Sequence, residues 1–304
     1  MTILLGGLAF EIVTGLEQAA RKQRFKEQLD AGFGGPMVIA EGDSWFCYPQ
    51  DRRYVPANAP QDLTLPLATK YKLLNMAKPG DLATEMAGFR EKDLAIYAAY
   101  YKADVLILSC GGNDLVHGRS LQSLLHPGDL QNPADYLKLS FWAVLERVIV
   151  SIEEMIKTAR RARPDIRVIT HGYDRAIPRQ NGAWFGEPMA ALGIPQARWT
   201  AIAQTIVNEF NIELAGRVAA LDRSLANGRG EIVHLDLRGT VGANEWFDEL
   251  HPTTGGFAKI AAKFDAEIKR LAGKKVRAKP AAKPRQPAIP DPFANAGVDQ
   301  PGNN

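Results

Sequence analysis

Five short, almost unbroken apolar runs are spaced along the chain, and they constrain the fold more than any other feature. They occupy residues 37–40 (Met-Val-Ile-Ala), 72–76 (Lys-Leu-Leu-Asn-Met), 104–108 (Asp-Val-Leu-Ile-Leu), 167–170 (Arg-Val-Ile-Thr) and 231–235 (Glu-Ile-Val-His-Leu). Runs this short and this continuously apolar suit strands buried on both faces. Amphipathic stretches lie between them. One carries Phe141, Leu145, Val148, Ile149, Ile152 and Ile156, a second Ile202, Ile206, Phe210, Leu214 and Val218, and the last Phe257, Ile260, Ala261, Phe264, Ile268 and Leu271. Spacings of three and four place each set on one helix face. Strands alternating with helices predict an α/β fold, a three-layer α/β/α sandwich on a parallel, flavodoxin-like sheet of about five strands.

This pattern spans residues 37–272, the expected catalytic domain. Residues 1–36 precede it as an N-terminal helical extension. Ile3, Leu4, Leu5 and Leu8 briefly resemble a signal peptide, but no Lys or Arg stands before Arg21, and Glu11 and Glu17 interrupt the apolar stretch. A cytoplasmic location is therefore expected. No apolar run approaches the roughly 18 residues that a membrane-spanning helix needs.

Residues 273–304 form a Lys/Ala/Pro-rich segment with six basic and two acidic residues, which leaves the other 272 residues near −1 of the net +3. The basic character belongs to this tail, so no nucleic-acid partner is expected. Its proline density predicts a disordered, solvated extension. Polybasic contact with an acidic surface is the functional alternative. Two cysteines, Cys47 and Cys110, are too few for a disulfide framework and lack zinc-ligand spacing.

Candidate chemistry gathers where the runs end. The first run leads into Glu41-Gly42-Asp43-Ser44-Trp45, placing a serine just past a strand. The third leads into Gly111-Gly112-Asn113-Asp114, whose glycines let backbone approach a ligand and whose Asn amide can donate a hydrogen bond. Before the last helix stands Asp248-Glu249-Leu250-His251. There a carboxylate three residues ahead of a histidine can fix its tautomer and leave the other nitrogen free as a base. Residues 45–70 and 174–198, rich in aromatics, Pro and polar groups, each follow a strand end and are expected to wall a pocket. His171 and His117 are further residues near these ends. A structural role is expected for His171, His126 and His234, and a core position for Cys110.

Together, and in this order, the blocks resemble the SGNH hydrolases, an esterase and lipase superfamily. Gly42-Asp43-Ser44 matches the first block, Gly80 after the second strand the second, Gly111 to Asp114 the third, and Asp248 to His251 the last. One departure is Trp45, where the family usually has leucine. The resemblance implies Ser44 as nucleophile, His251 as general base and Asp248 as its orienting carboxylate. It also implies an oxyanion hole formed by the N–H groups of Ser44 and Gly80 and the amide of Asn113. No metal or cofactor is implied.

The expected activity is that of a serine esterase acting on a small-molecule, lipid or sugar ester through an acyl-enzyme. A thioesterase, a lipase, a carbohydrate deacetylase or an acyl transferase would share the machinery, and an inactive binding module would share only the fold. The aromatics Trp45, Trp184, Phe185 and Trp246 are the expected substrate-binding wall. An α/β-hydrolase elbow is excluded because Phe46 stands where its second glycine belongs. The chain also lacks a Walker loop, a Gly-x-Gly-x-x-Gly after the first strand and a His-Glu-x-x-His, which disfavours nucleotide and metal chemistry.

Overall fold

The computed structural model describes residues 7–51, 55–117, 120–225 and 231–273, with side chains from residue 14 onward. Each apolar run carries a strand: β1 (Met37–Gly42), β2 (Lys72–Asn75), β3 (Val105–Ser109), β4 (Arg167–His171) and β5 (Ile232–Leu235). They form one sheet in the order β2-β1-β3-β4-β5, and every neighbouring pair is parallel. All residues of β1, β3 and β4 are buried, which explains why these runs read as continuous rather than alternating.

Ten α-helices cover the sheet among the described residues. They are α1 (Gly7–Asp30), α2 (Thr64–Ala68), α3 (Ala83–Phe89), α4 (Glu91–Tyr100), α5 (Gly112–Val116), α6 (Ser120–Leu124), α7 (Leu139–Ala162), α8 (Gly186–Ala191), α9 (Gln196–Leu225) and α10 (Thr254–Gly273). The apolar stripes anticipated on α7, α9 and α10 are buried. Each large apolar side chain so placed contributes roughly 1.5–3 kcal/mol. On one side α3 and α4 pack on α7, and α7 packs on α9; elsewhere α1 and α2 lie against β2, and α10 against α2 and β3. No helix among the described residues is long and apolar enough to cross a membrane.

The N-terminal segment is helical and is tied into the body of the sheet. Phe25 is fully buried, with its ring edge-on to Tyr101 at 4.9 Å. Gln28 accepts the N–H of Leu73 at 3.1 Å, satisfying a donor on the edge strand β2 that would otherwise invite pairing with another chain. The buried guanidinium of Arg21 donates to Cys47 Sγ and lies 3.9 Å from the Asp62 carboxylate. It thereby fastens α1 to the insertion after β1. The expected tail lies, from residue 274 onward, outside the described residues.

β1 connects to β2 on one side and, after β2, the chain returns to place β3 on the other. Parallel sheets open a crevice at such a reversal, beyond the carboxyl ends of the two diverging strands. Ser44 follows the end of β1, and the Gly-Gly-Asn-Asp block follows the end of β3.

Candidate active site

Gly42 pairs with Ser109 across β1 and β3, and a Cβ on Gly42 would fall 2.5 Å from the Ser109 carbonyl oxygen. Only glycine permits that approach. The next residue, Asp43, is buried and folds the turn: its Oδ1 accepts the Trp45 N–H at 3.0 Å and the Ser109 hydroxyl at 2.9 Å, while Tyr173 donates its hydroxyl to Oδ2. Burial raises the Asp43 pKa, opposed by the donors Tyr173, Trp45 and Ser109. Ser44 remains half-buried between these buried neighbours, so its hydroxyl is offered to the crevice.

That hydroxyl lies 2.8 Å from His251 Nε2. His251 Nδ1 lies 2.9 Å from each carboxylate oxygen of Asp248. Asp248 Oδ1 also accepts the backbone N–H groups of Leu250 at 2.9 Å and His251 at 2.8 Å, closing the tight turn that the Asp-x-x-His spacing anticipates. Burial works against the Asp248 charge. The histidine and these N–H groups outweigh it and hold the carboxyl below its ordinary value. A hydroxyl bonded to one imidazole nitrogen, with the other held by a carboxylate, is the arrangement that turns serine into a nucleophile.

The second strand end reaches the site through Lys78, whose N–H donates to the Gly42 carbonyl at 2.9 Å, and through Gly80 in the left-handed region at φ +83°. The Asn113 amide donates to the carbonyl of Asp81 at 3.0 Å, which links this turn to the block after β3. In that block Gly111 adopts φ +103°, and a Cβ there would strike Val148 at 2.5 Å and Phe210 at 2.9 Å. Asp114 caps the N-terminus of α3 through the Ala83 N–H at 2.9 Å.

A narrow cleft adjoins Ser44, Asn113 and His251. Beyond these groups it is lined by the apolar Leu115, Val116, Ala176, Ile206, Val207 and Phe210, and by the buried Asp43, Tyr173 and Asp174, which are hydrogen-bonded within the protein. Two of these, Ile206 and Phe210, belong to the stripe of α9 that the sequence marks only as core.

The expected aromatic wall separates into parts. Phe185 is buried in the cleft lining. Trp184 sets its ring 5.6 Å from that of His251. Trp45 reaches the cleft with an edge but acts mainly as an internal brace, donating its indole N–H to the Leu250 carbonyl at 3.1 Å and stacking on His171 at 5.4 Å. Trp246 departs from expectation: it is buried, bridges to Pro252 and stands outside the cleft lining. Gly80, too, is outside that lining.

His171 is fully buried beside Trp45 and Phe46, and burial drives its pKa down to about 3, so it is neutral. It is only half satisfied. Nδ1 accepts the Tyr173 N–H at 3.1 Å, while Nε2 has no partner among the described residues.

Two residues that sequence reasoning passes over hold the site together. Tyr173 adopts φ +65°, unusual for a tyrosine, and its hydroxyl both donates to Asp43 and accepts the Gly112 N–H at 3.1 Å. Glu249, inside the Asp-x-x-His block, accepts four backbone N–H groups from the wall segment. A tyrosine after a strand and a glutamate at a variable motif position carry no local signal.

Residues 31–259 match the GDSL-like lipase/acylhydrolase family. The chain belongs to that family. No functionally curated protein matches it in sequence. Among solved structures, a Streptococcus pneumonia protein provisionally named a platelet activating factor is 12% identical over 85% of this chain and 95% of its own, with a TM-score of 0.50. A carbohydrate esterase family 3 protein from Talaromyces cellulolyticus is 14% identical over 79% of this chain and 99% of its own (TM-score 0.44). Phospholipase A1 from Streptomyces albidoflavus NA297 is 15% identical over 77% and 99% (TM-score 0.45). At such identities the likeness is one of fold. Family membership brings the general activity of an acylhydrolase and, with it, ester substrates.

Proposed function

We propose that this GDSL-like acylhydrolase is a metal-independent serine esterase whose catalytic domain is residues 37–272. The observation that carries the reading is the hydrogen-bonded line from Ser44 Oγ through His251 to Asp248, at 2.8 and 2.9 Å. Ser44 attacks the carbonyl carbon of the ester, and its proton passes to His251 Nε2. Asp248 keeps the Nδ1 proton in place and stabilises the imidazolium that forms. The negative oxygen of the tetrahedral intermediate is met by the N–H groups of Ser44 and Gly80 and the second amide hydrogen of Asn113. Collapse breaks the ester C–O bond, and the alkoxide leaves with the proton from His251. Water then repeats the sequence on the acyl-serine, releasing the acid and restoring the hydroxyl.

The cleft beside Ser44 supports an acyl chain as the group it receives, because Leu115, Val116, Ile206 and Val207 offer no hydrogen bonds to a sugar and the polar lining residues Asp43, Tyr173 and Asp174 are engaged within the protein. A thioester would enter by the same steps, with a thiolate as leaving group.

Hydrolysis of p-nitrophenyl esters from acetate to palmitate, wild type beside Ser44→Ala and His251→Ala, tests the reading. Turnover is expected to vanish in both variants while circular dichroism stays unchanged, and a fluorophosphonate probe is expected to label Ser44 alone. Near-normal rates in Ser44→Ala would refute it.

A further inference from the structure

We propose that Glu249 is a positioning residue that sets acyl selectivity by locking the cleft wall to the segment carrying the base. Its side chain is 1% exposed. A buried carboxylate ordinarily takes a cation as partner. Here, among the described residues, the partners are four backbone donors: Oε1 accepts from Arg179 at 2.8 Å and Gly186 at 2.9 Å, and Oε2 from Trp184 at 2.9 Å and Phe185 at 3.1 Å. The Ile177 N–H adds a bond to the Glu249 carbonyl at 3.1 Å.

The wall segment is shaped to receive this carboxylate. A Cβ on Gly182 would fall 1.9 Å from the Glu249 carboxyl carbon, and one on Gly186 would fall 1.6 Å from the Arg179 carbonyl oxygen. Residues 177–186 therefore wrap Glu249 and present Trp184 to His251 and Phe185 to the cleft. Glu249 stands next to Asp248 and two residues before His251. Base and wall thus move as one unit, although Glu249 contacts neither the serine nor the cleft. This inference rests on the esterase reading, since it concerns which acyl group that site accepts.

A carboxylate serving only to stabilise the fold would, when altered, lower activity on all esters alike. Selectivity separates the two roles. Glu249→Gln keeps the shape and one acceptor oxygen but turns N–H groups toward two of the four donors. We expect the ratio of kcat/KM for p-nitrophenyl octanoate to that for acetate to fall about tenfold, mostly through KM, with Ser44 still labelled by fluorophosphonate. A change below threefold in the folded variant would overturn the proposal. If Glu249→Gln does not fold, Gly182→Ala, which displaces the carboxylate, is expected to shift the ratio the same way, and an unchanged ratio there overturns it equally. Limited trypsinolysis reads the loop without turnover. Cleavage after Arg179 is expected to quicken at least tenfold in either variant, and equal rates would refute the locking. Failure of the esterase reading itself would appear in the wild type, as ester turnover that is absent or independent of Ser44.

Discussion

Removing a single oxygen atom, in Tyr173→Phe, tests whether the turn after β1, the turn after β3 and the end of β4 are held as one body. In the native chain that hydroxyl donates to the buried Asp43 carboxylate and accepts the Gly112 N–H. A hydrogen bond to a charged group contributes about 1.5–3 kcal/mol, and a buried N–H left without a partner costs about 1–3 kcal/mol. The two effects share one atom and do not add fully, so a loss of about 3 kcal/mol is expected. Left-handed backbone at Tyr173, a strain of about 1–2 kcal/mol, would then lack the bonds that offset it. At roughly 2–4 °C per kcal/mol for a domain of this size, Tm should fall by about 6–12 °C.

The deficit should also depend on pH. Asp43 has its folded pKa above the ordinary 3.8, so its contribution is fully favourable below 3.8 and is lost as pH rises through the folded value. The Tyr173 hydroxyl favours the ionised form, so its removal pushes that pKa higher and deepens the loss. The difference between variant and wild type should therefore be smallest at pH 3.5 and grow toward pH 7. Thermal denaturation followed by tryptophan fluorescence at the two pH values measures both quantities. A Tm within 2 °C of wild type at pH 7 would show that the hydroxyl does not bind the three segments together.

Asn113→Ala should lower kcat by roughly 10²–10³ with little change in KM, as expected for a donor that acts on the developing oxyanion; steady-state kinetics on p-nitrophenyl butanoate checks it. Asp248→Asn keeps the oxygen that accepts the Leu250 and His251 N–H groups, so the turn survives. Its activity should fall on the order of 10⁴-fold, yet stay measurably above that of Ser44→Ala. In acid, buried His171 (about 3) and half-buried His234 (about 4) bind protons only after the unfolded chain does, so stability is lost as pH falls from 6.5 toward those values. Glu41, raised to about 7, and Asp62, raised to about 6, act in the opposite sense over an overlapping range. His171→Asn removes one histidine while keeping an acceptor for the Tyr173 N–H. Relative to wild type, it should gain up to about 1.4 kcal/mol per pH unit between pH 6.5 and 4, measured by urea denaturation. A constant difference across that range would refute the burial of a neutral imidazole.

Much of this architecture is legible in the sequence because burial on both faces leaves a strong mark. β1 and β3 lie between two strands and two layers of helices, so almost every residue in their runs is apolar, and their ends fall within two residues of expectation. Ser44, Asp248 and His251 are legible because each stands in a short block at a strand end or a helix start. Their meeting across 207 residues follows from the order of the strands. What escapes is pairing at long range without a local pattern. Tyr173 reaches Asp43 from 130 residues away, and Glu249 reaches the wall from 63 to 70. Tryptophan burial is also hard to read from the sequence. Trp45 and Trp246 sit in segments that look like loops, yet their large rings are driven inside. The same blindness applies to Ile206 and Phe210, since an apolar helix stripe reads alike whether it faces packed neighbours or a cleft.

The four bonds received by Glu249 bear on how such a chain can diversify. Ser44 hangs on β1, where glycine at position 42 leaves no slack against β3. The wall, by contrast, comes from a crossover, a kind of segment that lineages and engineers exchange freely. Here the exchange is not free, because the wall is seated on Glu249, within the tetrapeptide that also carries Asp248 and His251. A transplanted crossover would have to bring residues 248–251 with it or arrive with its own way of seating a carboxylate, so the wall and the segment carrying His251 would change hands as a pair.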